Sequence, residues 1–200
     1  MHCGNTFIAL NIEMMNPELE KQLTMTYTEQ LLYLKNKYGL AQENYFLTVN
    51  CDRKSTKVGR GNEGLFCHHD YEYDPDNSLT SDLSNPEIAK QFTYKYQEVE
   101  NLTYCNYLEH LILHCKINVL RAKQLGHYIQ DGVVNHFIPT LNDLYRYRIK
   151  DMRDWQQVAY SLIKYDYGSY CEIIQWWLAQ LGTDEEHGFP QWRQLTGVKK

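Results

Sequence analysis

The stretch that most narrows what this chain can fold into is NLTYCNYLEHLILHCKINVLRAKQLG, residues 101–126. Its first five residues read as a short strand or turn. From there Leu108, Leu111, Ile112, Cys115 and Val119 recur on one broad helical face, and Gly126 supplies a stop. An extended segment that runs straight into a long helix puts both element types into one local unit, and the expected fold class is α+β. Two histidines, His110 and His114, ride on that helix four residues apart.

The other segments build around this unit. NPELEKQLTMTYTEQLLYLKNKYG reads as one helix, with Asn16 as cap, Pro17 in the first turn and Gly39 as terminator. NYFLTVNC is rich in β-forming residues and reads as a strand. A basic, glycine-rich loop follows, then GLFCHHDYEY as a short strand entering a turn. The polar segment DPDNSLTSDLSNPEIAKQF holds a short helix after Asn85. LNDLYRYRIKDMRDWQQVAYSLIKY and YCEIIQWWLAQLG read as helices. The expected organisation is an N-terminal helix and strand segment over 1–60, a core over 61–125 with an insertion at 74–95, and a helical C-terminal region over 126–200, all in one compact unit.

An apolar share of 43% and an aromatic share of 14% are enough for a buried core and exclude a disordered chain. The net charge of −5 excludes a generally basic nucleic-acid binder, but the charge is uneven. Arg53, Lys54, Lys57 and Arg60 face only Asp52 within residues 51–60, and from Lys116 to Lys164 eight Lys or Arg accompany four Asp and no Glu. Such polarity lets one face meet phosphate despite a negative total. The six cysteines form no CxxC pair, so a zinc ribbon is not expected, and Cys105 and Cys115 read as small buried residues. MHCGNTFIALNIEMM lacks a secretory pattern and no apolar run suits a membrane span, so a cytoplasmic protein with reduced thiols is expected.

Half of the eight histidines lie in CHHD and LEHLILH. At i and i+4 on a helix, His110 and His114 share one face and can reach a single ion. His68 and His69 adjoin one another at a strand end, where alternation and the turn let one face an ion and the other a substrate. Three neutral imidazoles plus one free imidazole is a division of labour suited to metal-assisted hydrolysis, since the ion neutralises phosphate charge and a base near neutral pKa takes the water proton. Asn101, nine residues before His110, is a candidate for orienting that base or fixing the turn.

In this order, CHHD, ENLTYCNYLEH and LILH resemble the ββα-metal or HNH nuclease motif, as in colicin-type and phage-encoded members of that family. The likeness runs from residue 64 to 117, about a quarter of the chain. It implies a ββα-metal core in which His68, His110 and His114 hold the metal, His69 is the general base and Asn101 is the motif asparagine, with Asn106 the less favoured choice. The interval from His69 to Asn101 is longer than in compact members and makes the segment at 74–95 an insertion. Glu109 adjoins a ligand and is expected to be exposed.

The resemblance implies an endonuclease that hydrolyses DNA with one divalent ion, Mg²⁺ first by availability, with Mn²⁺, Ni²⁺ or Zn²⁺ also suited to imidazoles. Arg53, Lys54, Lys57, Arg60, Arg121 and Lys123 are the expected phosphate contacts, with Arg146, Arg148 and Lys150. Two alternatives stay open. One is an RNA-cleaving toxin of the same motif; the other is a non-catalytic module in which zinc, with Cys67 as a possible ligand, stabilises a nucleic-acid or protein binder. A homodimer would suit double-strand cleavage.

Overall fold

The long N-terminal helical pattern is interrupted by its own sequence. The computed structural model describes residues 15–76, 82–128, 131–147 and 152–182, and within them the expected single helix is two. The first, α1 (Pro17–Thr24), starts on Asn16, whose side chain accepts the Glu18 amide, with Pro17 where its missing N–H is harmless. It ends at Met25 because Thr26 opens a second helix, α2 (Tyr27–Tyr38). The Thr26 side chain accepts the Glu29 amide while the Glu29 carboxylate accepts the Thr26 amide. That reciprocal cap, written in the sequence as TYTE, outweighs continuation of the apolar stripe. Gly39, at φ 78°, closes α2.

The expected strand over NYFLTVNC does not form. Its β-forming residues make a single bridge, Phe46 to Lys54. Cys51 takes φ 54°, a turn conformation, and Tyr45 bonds onward to Gln97 O instead of to a neighbouring strand. Tertiary placement overrides local propensity here.

Two strands do form as expected. They are β1 (Phe66–His69) and β2 (Leu102–Cys105), antiparallel, with His68 opposite Thr103 and His69 opposite Leu102. A single 3₁₀ turn, Asp70–Glu72, follows β1. Between the strands lies α3 (Pro86–Ala89), capped by Asn85 as the sequence suggested. From β2 the chain enters α4 (Tyr107–Leu125), with Asn106 accepting the Leu108 and Glu109 amides and Gly126 closing the helix at φ 73°. A π-turn, Val133–Phe137, leads into α5 (Ile138–Tyr147). Next come α6 (Asp154–Ser161) and α7 (Tyr167–Gln180). The helix expected from Leu141 to Tyr165 is therefore two helices, α5 starting earlier than its apolar pattern indicated. Among the described residues this is a mixed fold of seven helices and one two-stranded sheet, in line with α+β.

Twelve of the nineteen residues of α4 are buried, on two sides. Leu108, Leu111, Ile112, Cys115 and Val119 pack with Leu19 of α1, Phe137, Leu141 and Leu144 around α5, and Ile173, Ile174 and Trp177 of α7. Leu113 and Ile117 pack with Tyr27, Leu31 and Leu34 of α2 and Cys105 of β2. A helix apolar on more than one face belongs in the interior, and each fully buried Leu or Ile contributes about 1.5–3 kcal/mol. Residues from all three expected sections share this core, and Asn16 N donates to Ser169 Oγ of α7 at 2.9 Å.

The turn before β1 is pressed against α6. Gly64 has φ 75°, and a Cβ there would lie 3.0 Å from Ala159 Cα and 2.8 Å from a Leu162 methyl. Gly64→Ala is expected to destabilise the fold by about 1–3 kcal/mol, the range for a left-handed non-glycine residue, measured by urea denaturation.

Candidate metal centre

Local chain direction brings the histidines together. Because β2 leads directly into α4, His110 and His114 occupy its first turns, alongside the sheet. β1 lies antiparallel to β2 and carries His68 toward them. The His68 ring centroid is 5.2 Å from both His110 and His114, and the latter two are 4.8 Å apart. One ligand-capable atom from each of the three lies within 4.8 Å of the others. The Phe137 ring of the π-turn closes over His110 and His114, at 4.8 and 4.7 Å.

Hydrogen bonding assigns the free nitrogens. The Tyr27 hydroxyl donates its one proton to Asp70 O at 2.8 Å, so His68 Nε2, 2.9 Å from the same oxygen, is the donor to it. His68 therefore carries its proton on Nε2, and its Nδ1 lone pair is buried with no hydrogen-bond partner. His110 Nε2 and His114 Nε2 are 3.2 Å apart. That is close to the roughly 3.3 Å between two ligands held at about 2.0–2.1 Å on a tetrahedral ion. Burial is the main force holding all three imidazoles neutral: His68 and His110 lie well below their ordinary pKa, and His114 is pushed down to about 3. Neutral, lone-pair-bearing nitrogens are the form that binds metal, so the residues present fit a divalent ion.

His69 points elsewhere. Its Nε2 donates to Gln97 Oε1 at 3.1 Å, Gln97 in turn donates to Leu83 O, and its ring lies 4.4 Å from that of Tyr45. Its Nδ1 is buried and keeps the lone pair. Burial, opposed by the Gln97 bond, lowers its pKa to about 4. Strand alternation thus separates His68, in the cluster, from His69, outside it.

The sequence reading missed Glu72. From the 3₁₀ turn its Oε2 lies 3.3 Å from His114 Nε2 and 3.8 Å from His68 Nδ1, and its Oε1 lies 3.9 Å from His69 Nδ1. Burial raises its pKa to about 8. Tyr27, forty-one residues from His68, was also missed. An acid four residues after the first histidine was the one available signal for Glu72; nothing local marked Tyr27.

Several expected residues take other positions. Asn101 sits one residue before the partner of His69, and its amide donates to Lys95 O at 2.8 Å, tying the turn that enters β2. Asn106 caps α4. Glu109, expected to be exposed, is fully buried: Lys37, Tyr38 and Gln22 donate to it at 2.7, 2.9 and 3.3 Å. Arg121, expected at a phosphate, is buried and donates to Glu72 O at 2.5 Å. Lys57 pairs with Glu43, Arg60 with Glu63 and Tyr38 O, and Lys54 with the Tyr45 hydroxyl. Arg53 and Lys123 are exposed. Arg148 and Lys150, and the Arg146 side chain, lie outside the described residues. Cys67 packs on the opposite side of β1 with the cluster of Tyr45 and Tyr104, and is not in the histidine group. Cys105 and Cys115 are buried as expected. A cleft of about 350 Å³ beside α1 and α2 has none of the four histidines in its lining. No helix among the described residues is long and apolar enough to cross a membrane.

Comparison with protein-family models, with curated proteins and with solved structures returned no match, so the site is read from its own geometry.

Tyr27→Phe removes the acceptor that fixes the His68 tautomer. It is expected to lower divalent-metal affinity about 10–100-fold, read by competition with a chromogenic chelator. Glu72 gives a pH signature in metal-stripped protein. Its folded pKa, about 8, lies above its ordinary 4.5, so the folded state holds the extra proton and loses stability as pH rises from 4.5 to 8. Glu72→Gln removes that slope. Its stability relative to wild type is expected to grow across this window, by up to about 1.4 kcal/mol per pH unit, in urea melts from pH 5 to 8.

Proposed function

We propose that this chain is a metal-dependent endonuclease that hydrolyses phosphodiester bonds of DNA. The observation that carries the reading is the convergence of His68 from β1 with His110 and His114 from α4, across a strand–strand–helix unit, beside a separate neutral imidazole at His69. That convergence supports the HNH reading, under which the three histidines would be the ligands and His69 the base.

When bound, a divalent ion would supply positive charge to the phosphate and to the leaving 3′ oxygen. The remaining work belongs to the chain. His68, His110 and His114 would hold the ion, and the Tyr27 hydroxyl, accepting from His68 Nε2, leaves the Nδ1 lone pair bare. Gln97 Oε1 accepts a hydrogen bond from His69 Nε2, which leaves Nδ1 to accept a proton from the attacking water. Asn101 braces the turn that enters the strand paired with His69. Arg53, Lys54, Lys57 and Lys123 are solvent-exposed cations suited to the nucleic-acid backbone. One unit offers one metal centre, so cleavage of both strands would call for two copies.

A second reading has one observation in its favour. His68 and His69 are 0% and 1% exposed, and Glu72 stands between His69 and the cluster. A closed, fully liganded site is the mark of structural metal. Under the nuclease reading, the turn carrying Glu72 must give way when substrate arrives.

The two separate in one experiment. Metal-loaded protein is incubated with supercoiled plasmid and, in parallel, with RNA, with and without EDTA. Plasmid cleavage that EDTA abolishes is the expected result. His69→Ala should keep its metal and lose at least about 10²-fold in rate, while His110→Ala should lose both. RNA cleaved in place of DNA would move the substrate to RNA. Stoichiometric metal with neither polymer cleaved would leave the structural reading.

A further inference from the structure

Ligand atoms of the three histidines lie within 4.8 Å of one another, and Glu72 stands outside that mutual group but beside two of its members. The Glu72 carboxylate reaches two of the histidines from the 3₁₀ turn after β1. Its Oε2 is nearer His114 Nε2, at 3.3 Å, than one of the histidine separations within the group need be, since those extend to 4.8 Å. The same oxygen lies 3.8 Å from His68 Nδ1, the buried lone pair with no hydrogen-bond partner. A divalent ion that displaces the protons shared among these groups would be held by the same oxygen and nitrogens.

The chain also holds Glu72 in place from α4 itself. Arg121, seven residues beyond His114 on that helix, donates to the Glu72 main-chain carbonyl at 2.5 Å. On the other side Tyr27 bonds Asp70 O, and the Asp70 carboxylate accepts from Lys35 at 2.5 Å and Thr103 at 2.6 Å. The 3₁₀ turn Asp70–Glu72 is thus anchored to α2, β2 and α4, the elements that carry or flank the histidines.

We propose that Glu72 is a fourth metal ligand, and that the resulting set of three imidazoles and one carboxylate binds a first-row transition ion in preference to Mg²⁺. Imidazole suits Zn²⁺, Ni²⁺, Fe²⁺ and Mn²⁺, whereas Mg²⁺ takes oxygen ligands and keeps several of its waters. Three nitrogen donors in a buried site offer Mg²⁺ neither. The inference rests on the metal-binding half of the proposed function and not on cleavage. Arg121, read from sequence as a phosphate contact, becomes a positioning residue for Glu72.

The test is a binding titration that needs no activity. Metal-stripped protein is titrated with Co²⁺, whose visible absorption reports the number and kind of its ligands, and with Zn²⁺ by competition. Wild type is expected to bind one ion, and Mg²⁺ in thousandfold excess is expected to leave the Co²⁺ spectrum unchanged. Glu72→Gln, isosteric and expected to fold well without metal, should weaken binding at least tenfold and alter the Co²⁺ spectrum. Glu72→Asp, which keeps the charge but shortens its reach, should fall between. Arg121→Met should weaken binding less than Glu72→Gln and leave the shape of the spectrum unchanged. A Glu72→Gln protein that binds Co²⁺ within twofold of wild type, with the same spectrum, overturns the fourth ligand. Displacement of Co²⁺ by Mg²⁺ at comparable concentration overturns the ion class. His110→Ala separates this failure from that of the whole centre: if it too binds like wild type, the metal site itself falls.

Discussion

Burial of α4 on two sides is the constraint from which the candidate site follows. Leu111 and Ile112 face α1, α5 and α7, while Leu113 and Ile117 face α2 and the sheet. A helix gripped in that way cannot rotate without exposing one apolar surface or the other, so the direction of His110 and His114 is fixed by core packing. The polar groups on α4 obey the same confinement. Glu109 gathers Lys37, Tyr38 and Gln22, and Asn118 pairs with Asp131 and Trp177. Buried polar groups left without partners would cost more than they contribute.

The pair of strands matters for a different reason. Four residues each, they are too short to stand alone. Their contribution is register: opposite Thr103, His68 faces α4, and opposite Leu102, His69 faces Gln97 and Tyr45. A slip of one residue would exchange the two imidazoles. The hydroxyl of Tyr27 then chooses which nitrogen of His68 is bare. Position, face and tautomer are therefore set by three separate devices in three separate segments.

Much of this was legible where the signal is local. The i, i+4 histidines, the helix ending at Gly126, the short strands holding CHHD and LTYC, and the cap at Asn85 all depend on neighbours in sequence, and all are found. The break at Thr26 is local too: TYTE states it, and the reciprocal cap outweighs the apolar stripe that runs across it. The rest depends on distant partners. NYFLTVNC has strand composition but no strand beside it to pair with. Glu109 looks like a solvent residue until α1 and α2 fold over it. Lys54, Lys57, Arg60 and Arg121 read in the sequence as unpaired basic residues, and their contacts with Tyr45, Glu43, Glu63 and Glu72 come only with the fold. Glu72 itself joins the histidines only because a 3₁₀ turn bends the chain back after β1.

The π-turn at Val133–Phe137 has a consequence for how such a site could change over time. A π-turn is an α-helix that has gained one residue, and here it brings Phe137 over His110 and His114. Loss of a single residue from this turn would restore a regular helix and swing the following side chains by about 100°. The aromatic cover above the imidazoles would move away with no substitution at any residue that touches them. Access to this centre is therefore open to adjustment by the length of the chain as well as by its chemistry.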